Sequence, residues 1–464
     1  MAGIGFQLRR LLKEGSPSGM LKAYTYAAVI SSGPWLCSIL CLGALTYLAS
    51  RRIGEQEVQL FRTLVIYCYA ASLVALGPFQ MAFTRHIADR LYLGDDKALA
   101  PAFLSSTLFL AALQGLTAAI ALSFLDLTPS CRLYAGSLYV ITSLIWHAML
   151  FLSAARDYGS IVWAFVAGSA VSVAASWTLG ERLGALGYLM GFTFGQALLW
   201  ALLASRVLVE FRAEQALDSA ILGSVRRFQT LAWIGLLANL GIWIDKAVFW
   251  VSAEGRSVLG FLRVCDPYDS GMFLAYLTVV PAFSLFLARV ETDFYDAYRE
   301  FFGVILKKRG WNAIAERHRL LGEALERGLG AILKYQGMLT ALCLLFAEPL
   351  ARLGRLSPDG AAVFRVGVLG AFLHVIFLFI LIFMLYLDLR RLALAMSALF
   401  CALCLGLTLL TLRMGPSFYG YGYAGAGLIS AVTGYLALGW AFRKLPFYTF
   451  ARQPLVAPLA EEED

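Results

Sequence analysis

Charge is scarce in this sequence. Asp, Glu, Lys and Arg make up 15% of its 464 residues, against about 25% in soluble chains. No stretch reads as a water-soluble block longer than the one around Arg289–Lys334. This excludes an ordinary globular enzyme, although length alone would suggest about three soluble domains. Enzyme signatures are missing as well. There is no G-x-x-x-x-G-K-[ST] loop, so no P-loop hydrolyses ATP here, and neither H-E-x-x-H nor G-x-S-x-G occurs. Gly420-x-Gly422-x-x-Gly425 fits G-x-G-x-x-G, but it opens an apolar helix with no strand before it and carries no nucleotide-binding expectation.

Metal ligands and redox pairs are equally sparse. Of four histidines, His147 and His374 stand alone in apolar runs, without a second ligand at metal spacing. Each reads as a hydrogen-bonded core histidine or a proton relay. Eight cysteines are scattered. Cys401-x-x-Cys404 has redox spacing but sits mid-helix and reads as packing. Cys131 and Cys265 fall near one face, where a disulfide is an option. No metal, cofactor or catalytic residue is expected.

What the chain has in excess is apolar length. Hydrophobic residues reach 60%, against roughly 45–50% in soluble proteins. A membrane-crossing helix needs about 20 apolar residues, and lipid tolerates no unpaired strand edge. Twelve spans follow: 23–49, 61–83, 102–125, 133–153, 159–179, 185–205, 229–252, 270–288, 331–350, 362–387, 392–412 and 421–442. Basic residues set the orientation. The N-terminus, the even-numbered gaps and the C-terminus hold 26 Lys and Arg, counting Lys334 with the segment before span 9, whereas the odd-numbered gaps hold 9. Both termini are therefore expected in the cytoplasm, and losing one span would scramble the alternation. The net charge of +8 reflects these loops and anionic lipid headgroups rather than nucleic acid.

Twelve spans invite a search for two copies of six. Pro78 with the later pair Arg85 and Asp89 has a counterpart in Pro281 with Arg289 and Asp293, a helix-distorting proline before an Arg/Asp pair at i, i+4. Gly184-x-x-Gly187 opens span 6 as Gly422-x-x-Gly425 opens span 12. The expected fold is an all-α integral membrane protein of about 12 transmembrane helices in two pseudo-symmetric six-helix lobes with a central cleft. Residues 1–22 form an amphipathic cytoplasmic N-terminus and 23–205 the N-lobe. A cytoplasmic linker, 206–228, leads to the C-lobe, 229–442, with a cytoplasmic segment at 289–330 and a tail at 443–464.

Charge within a span is the sharpest local signal. Span 7 carries Asn239, Trp243, Asp245, Lys246 and Trp250. Neighbours on a helix point about 100° apart, so Asp245 and Lys246 are not expected to neutralise each other, and at least one should meet a cleft or another helix. These five residues are the candidate substrate path; the alternative is that Lys246 snorkels to an interface. Trp233, Trp243 and Trp250 suit either sugar stacking or an interfacial belt, as do Tyr419, Tyr421 and Tyr423. Pro78, Arg85, Asp89, Pro281, Arg289 and Asp293 are the candidate gating motif, with packing relief as the alternative for the prolines. The basic run Lys307-Lys308-Arg309 can hold its segment on the inner leaflet or dock a cytosolic partner.

Four separated stretches carry a resemblance: Met1-Ala-Gly-Ile-Gly-Phe-x-Leu-Arg-Arg, Ile30-Ser-Ser-Gly-Pro-Trp35, Gly241-Ile-Trp-Ile-Asp-Lys246 and Arg289-Val-Glu-Thr-Asp-Phe294. Together they resemble the Pel exopolysaccharide transporter family (PelG), over essentially the whole chain. The resemblance implies the multidrug/oligosaccharidyl-lipid/polysaccharide flippase superfamily. It further implies export of a cationic, partly deacetylated N-acetylhexosamine polymer through a bacterial inner membrane into the biofilm matrix. The implied partners are a cytosolic UDP-sugar glycosyltransferase (PelF-like) and two membrane components (PelD-like and PelE-like), one bearing a cyclic-di-GMP receptor that nothing in this chain resembles. The competing functions are an ion-coupled flippase or antiporter of lipid-linked sugars or drugs, a membrane-embedded polymerase and a non-transporting scaffold of the synthase.

Overall fold

The computed structural model describes residues 17–211, 215–286 and 291–451. The first six-helix lobe contains α1 (Pro17–Ala49), α2 (Glu55–Tyr92), α3 (Leu99–Ser123), α4 (Pro129–Ala155) and α5 (Tyr158–Glu210). A short α6 (Ala220–Arg227) leads to α7 (Gln229–Val251), which begins the second lobe. There follow a two-stranded hairpin, β1 (Arg256–Leu259) and β2 (Leu262–Val264), then α8 (Asp266–Leu277), α9 (Val280–Leu285), α10 (Glu291–Leu306) and α11 (Trp311–Leu345). Last come α12 (Ala347–Leu353), α13 (Pro358–Tyr386), α14 (Arg390–Met414), α15 (Tyr421–Arg443) and α16 (Leu445–Ala451).

Nine helices among the described residues are long and apolar enough to cross a membrane. Three physical details connect nine to twelve. The 53-residue α5 is two antiparallel spans merged at Gly184, whose φ of 58° and ψ of −138° no helix contains. Only a residue without Cβ turns the chain back so sharply at low cost. A Cβ on Gly187 would lie 2.1 Å from the Leu179 carbonyl oxygen, so the two arms touch backbone to backbone. Asp157 at the start of this hairpin also binds Arg206 near its end. Burial pushes the Asp157 carboxyl up, but the Arg206 guanidinium and the Ser160 hydroxyl and amide outweigh it and hold the group below the usual carboxylate range. The second detail is α1, a 33-residue helix with Pro34 inside it.

The third detail corrects an expectation. Span 8 is not one kinked helix over 270–288. It breaks after Leu277, and Pro281 sits in the first turn of α9. Proline is tolerated there because that N–H would have no partner anyway. Pro78, by contrast, lies inside the continuous α2. The charged segment before span 9 is helical, as its period suggests. Its second half is the start of the 35-residue α11, which runs on into the span, while α10 packs against it, with Arg317 donating to Glu300 at 2.6 Å.

The lobes repeat each other's packing. In the first, α1 lies on the first arm of α5, α2 on α4, and α4 on the second arm of α5. In the second, α7 lies on α14, α8 on α13, and α13 on α15. Helices one, two and four of each lobe thus take the same neighbours: five, four and six. The lobes meet where α9 lies on α1 and where α2 lies on α7, at a crossing that Gly77 and Gly235 leave room for. A Cβ on Gly235 would sit 2.1 Å from the Gly77 carbonyl oxygen. Large apolar side chains such as Trp163, Leu116 and Leu436 point outward, as expected where lipid is the solvent.

Candidate functional site

Asp245 and Lys246 lie about three-quarters of the way along α7, and both are buried, at 0% and 7% exposure. They do pair, contrary to the angular argument from their spacing. The Lys246 ammonium donates to both Asp245 carboxylate oxygens, at 3.0 and 3.2 Å, and to the Ile242 carbonyl one turn back, at 3.0 Å. The 100° separation describes Cβ directions, whereas the four-carbon lysine stem folds back along the helix. A partner on another helix is present too. Tyr276 of α8 accepts from Lys246 at 3.2 Å, and Tyr268 of the same helix donates to Asp245 at 2.8 Å.

Aromatic faces complete the enclosure. The ammonium lies 4.7 Å from the Tyr276 ring centroid, 5.7 Å from Tyr423 and 5.9 Å from Trp243, a spacing at which ring quadrupoles attract a cation. Tyr423 in turn hydrogen-bonds the His374 Nδ1, and the His374 ring stacks on Phe400 at 4.6 Å. Helices α7, α8, α13 and α15 contribute to one buried polar network, against which α14 packs Phe400. Such a pair is expensive to desolvate and is retained only when its remaining hydrogen-bonding capacity is met. Chemically, the network can exchange hydrogen bonds with hydroxyl or amide groups once the helices part.

Toward the odd-gap face, the same helix forms the interlobe seam. Trp250 donates to both Asp269 oxygens at 3.0 Å and stacks on Tyr67 of α2 at 4.7 Å. Tyr67 donates to the Arg263 carbonyl at 2.8 Å and accepts from its amide at 3.1 Å, pinning the β-hairpin to the other lobe. Beyond it, Asp266 receives Arg62 of α2 at 2.6 Å and Arg256 at 2.9 Å. These contacts latch the two lobes together on that face. Asn239, nearer the other face, donates to the Gly235 carbonyl at 2.9 Å and reaches Gln80 of α2 at 3.5 Å.

The remaining candidates are dispersed. Arg85 and Asp89 form an i, i+4 pair at 2.9 Å on a half-exposed face. Arg289 lies outside the described residues, while Asp293 is exposed at the start of α10. Lys307, Lys308 and Arg309 are exposed in the turn between α10 and α11. Trp233 is 56% exposed and takes no part in the network. The tyrosine cluster divides: Tyr423 joins the network, Tyr421 faces outward and Tyr419 packs edge-on against Phe249. His147 sits apart, sharing a 2.9 Å hydrogen bond with Ser106. All eight cysteines are free thiols, Cys131 and Cys265 included. Among the described residues, no group of three His, Cys, Asp or Glu could hold a metal. Sequence reasoning missed Tyr268, Tyr276, Asp266 and Asp269. The available signal was weak: buried tyrosine hydroxyls need partners, but Tyr268 and Tyr276 lie on another helix, α8, and no spacing ties them to Asp245 and Lys246.

Two pseudo-symmetric lobes of six helices, with a buried charged network beside the seam, define a multi-pass membrane transporter of the two-lobed kind. The chain is similar to solved multidrug resistance MATE family transporters of the MOP superfamily. For the outward-facing one the TM-score is 0.62 at 14% identity, covering 91% of this chain and 96% of that one. For the inward-facing one it is 0.62 at 14% identity, covering 90% and 99%. The Vibrio cholerae MATE transporter VcmN in its bent form gives 0.63 at 15% identity, covering 92% and 99%. At such identity the likeness speaks for the fold alone. Curated protein sequences yield no match. The family is nevertheless defined: residues 1–450 match the PelG exopolysaccharide exporter (EPS-E) model, and the chain belongs to that family. Family and fold are those of transporters rather than enzymes.

Proposed function

We propose that this protein exports the Pel exopolysaccharide, an N-acetylhexosamine polymer of the biofilm matrix, across the bacterial inner membrane as the polymer is made in the cytosol. The family match over residues 1–450 carries this reading. In it, both termini lie in the cytoplasm, and the polymer passes between the lobes along α7. Asn239, Trp243, Asp245, Lys246 and Trp250 offer hydroxyl- and amide-binding groups interleaved with aromatic faces. The repeated proline and Arg/Asp motifs act where helices rearrange. A PelF-like glycosyltransferase docks at Lys307, Lys308 and Arg309, and PelD-like and PelE-like proteins complete the complex.

A second reading has one specific observation in its favour. Asp245 is a carboxylate buried in a membrane helix, which an ion-coupled flippase of lipid-linked sugars or drugs requires. The deciding experiment locates hexosamine polymer in cells with and without this protein, the glycosyltransferase being intact. Polymer trapped in the cytosol without it supports export. Normal secreted polymer without it removes the proposal.

A further inference from the structure

On the basic face, at the foot of the second lobe, a cavity of about 480 Å³ opens between the start of α7, the α13–α14 turn and the end of α15. Thr230, Asp388, Arg390, Arg391, Trp440 and Tyr448 line it. Its charge is unbalanced. Arg390 donates to Asp388 at 2.6 Å, so one carboxylate answers one guanidinium. Arg391 is exposed and has no acidic partner among the described residues. Two further cations stand close by, each held on an aromatic ring. Lys444 lies 4.1 Å over Trp440, and Arg227 lies 5.3 Å from Phe228, whose ring Arg390 also approaches at 5.7 Å.

A second cavity, of about 330 Å³, shares Trp440 with the first. It runs along α15 past Gly439 and Leu436 to Tyr435, against Leu325 of α11, with Glu326 and Arg443 as its charged lining. Leu436 and Tyr435 are 64% and 52% exposed, and they lie on the side of Trp440 that leads into the bilayer. Beside the first cavity, Phe447 and Phe450 of α16 are also exposed, as residues at a lipid–water boundary are. A basic chamber at headgroup depth thus adjoins, across Trp440, a groove in which Leu325, Leu436 and Tyr435 offer apolar surface to an acyl chain.

We infer that this pair of cavities binds an anionic phospholipid, its phosphate against Arg390 and Arg391 and an acyl chain along Tyr435 and Leu436. Guanidinium groups suit phosphate oxygens through paired N–H donors, and basic pockets between membrane helices hold anionic headgroups. The groove distinguishes a lipid from a soluble phosphate, which would fill the first cavity alone. The inference does not depend on what the protein exports.

The test is native mass spectrometry of the full-length protein in detergent, titrated with phosphatidylglycerol, phosphatidylcholine or inorganic phosphate. One phosphatidylglycerol is expected to bind more tightly than phosphatidylcholine and to resist inorganic phosphate. Arg391→Gln, which breaks no protein ion pair, should weaken it about fivefold, the worth of one cation near a headgroup. Arg413→Gln, at the other end of α14, should leave it unchanged. Displacement by inorganic phosphate would overturn the lipid assignment and give the arginines to a soluble phosphate compound. Equal binding of the two lipids, or equal phosphatidylglycerol binding by wild type and the Arg390→Gln/Arg391→Gln variant, would overturn the site.

Discussion

Each lobe buries a single histidine on its fourth helix, and the two are treated very differently. His147 lies in a box of phenylalanines, stacked on Phe103 at 5.5 Å and edge-on to Phe83 and Phe151, with the Ser106 hydroxyl as its polar neighbour. His374 faces the other way, toward α14 and α15, and joins Tyr423 in a network that ends on Lys246 and Asp245. The helix packing repeats between the lobes, but the chemistry does not. A repeated scaffold needs only apolar surface and small residues at crossings. A buried ion pair needs specific partners from several helices, and one lobe alone supplies them.

The sharpest way to break this contrast is to remove one charge. Asp245→Ala leaves the Lys246 ammonium with the Ile242 carbonyl and Tyr276 as its acceptors and no counter-charge. Losing one member of a buried pair costs about 3–5 kcal/mol, so a large fall in thermal stability in detergent is expected. Ser106→Ala in the other lobe should cost about 1–3 kcal/mol, the penalty of one buried polar group left unsatisfied. Asp245→Leu combined with Lys246→Met removes both charges and should recover most of the stability. If the pair serves transport, that folded double variant still fails to secrete polymer. Normal secretion by it would make the network structural only.

The seam between the lobes gives the next largest effect. Gly235→Ala drives a Cβ to 2.1 Å from the Gly77 carbonyl oxygen, where both partners are backbone and neither yields cheaply. A cost of about 1–3 kcal/mol is expected from such overpacking, together with reduced export. Gly406→Ala on the lipid-facing side of α14 meets nothing within 4 Å and should be neutral or slightly stabilising. Melting temperatures of the two variants side by side check this, and equal values would mean that α2 and α7 do not press together in the membrane.

These contrasts show what could be read from the sequence. The helical membrane fold of about twelve spans in two lobes was legible because lipid imposes length and hydropathy on every crossing helix. Asp245 and Lys246 were legible because charge is rare in such a helix. Their mutual contact was not, since helical angles locate Cβ atoms and not the end of a lysine. Tyr268, Tyr276 and Tyr423 were not legible as partners either. Aromatic residues are 14% of the chain, and nothing local marks which of them a fold will bring together. The break after Leu277 escaped because an apolar run reads the same whether or not its helix is continuous. The β-hairpin escaped because its strands are 4 and 3 residues long.

The latch on the odd-gap face should give a smaller effect than either buried feature. Asp266 and its two arginines are partly exposed, with side-chain exposures of 44%, 38% and 57%, and such pairs are worth up to about 1 kcal/mol each. Asp266→Asn should therefore leave the fold intact and shift the lobes toward separation on this face. Cys265, next in the chain and 4% exposed, reports on it. Its labelling by a membrane-impermeant maleimide should rise about fivefold for a shift of ~1 kcal/mol. Unchanged labelling would show that the hairpin and Tyr67 hold this face closed without the ion pairs.

The smallest effect on the folded protein is expected at Lys307, Lys308 and Arg309, which separates surface charge from the buried kind most cleanly. Lys308 has a left-handed φ of 51°, and all three side chains are exposed in a tight turn. Exposed charges far from a partner contribute little to stability, so reversing all three to Glu should leave the melting temperature nearly unchanged. Their work lies in what they meet. The turn caps a helical hairpin whose arms Arg317 and Glu300 join, while Arg319 with Glu316 and Glu323 braces α11 itself. The hairpin therefore presents these cations on a firm support. Reversal should sharply reduce co-purification of the cytosolic glycosyltransferase, and the remaining binding should depend less on salt, because screened long-range attraction is what the substitution removes. Undiminished co-purification would move the docking surface elsewhere and leave the basic turn to the inner leaflet.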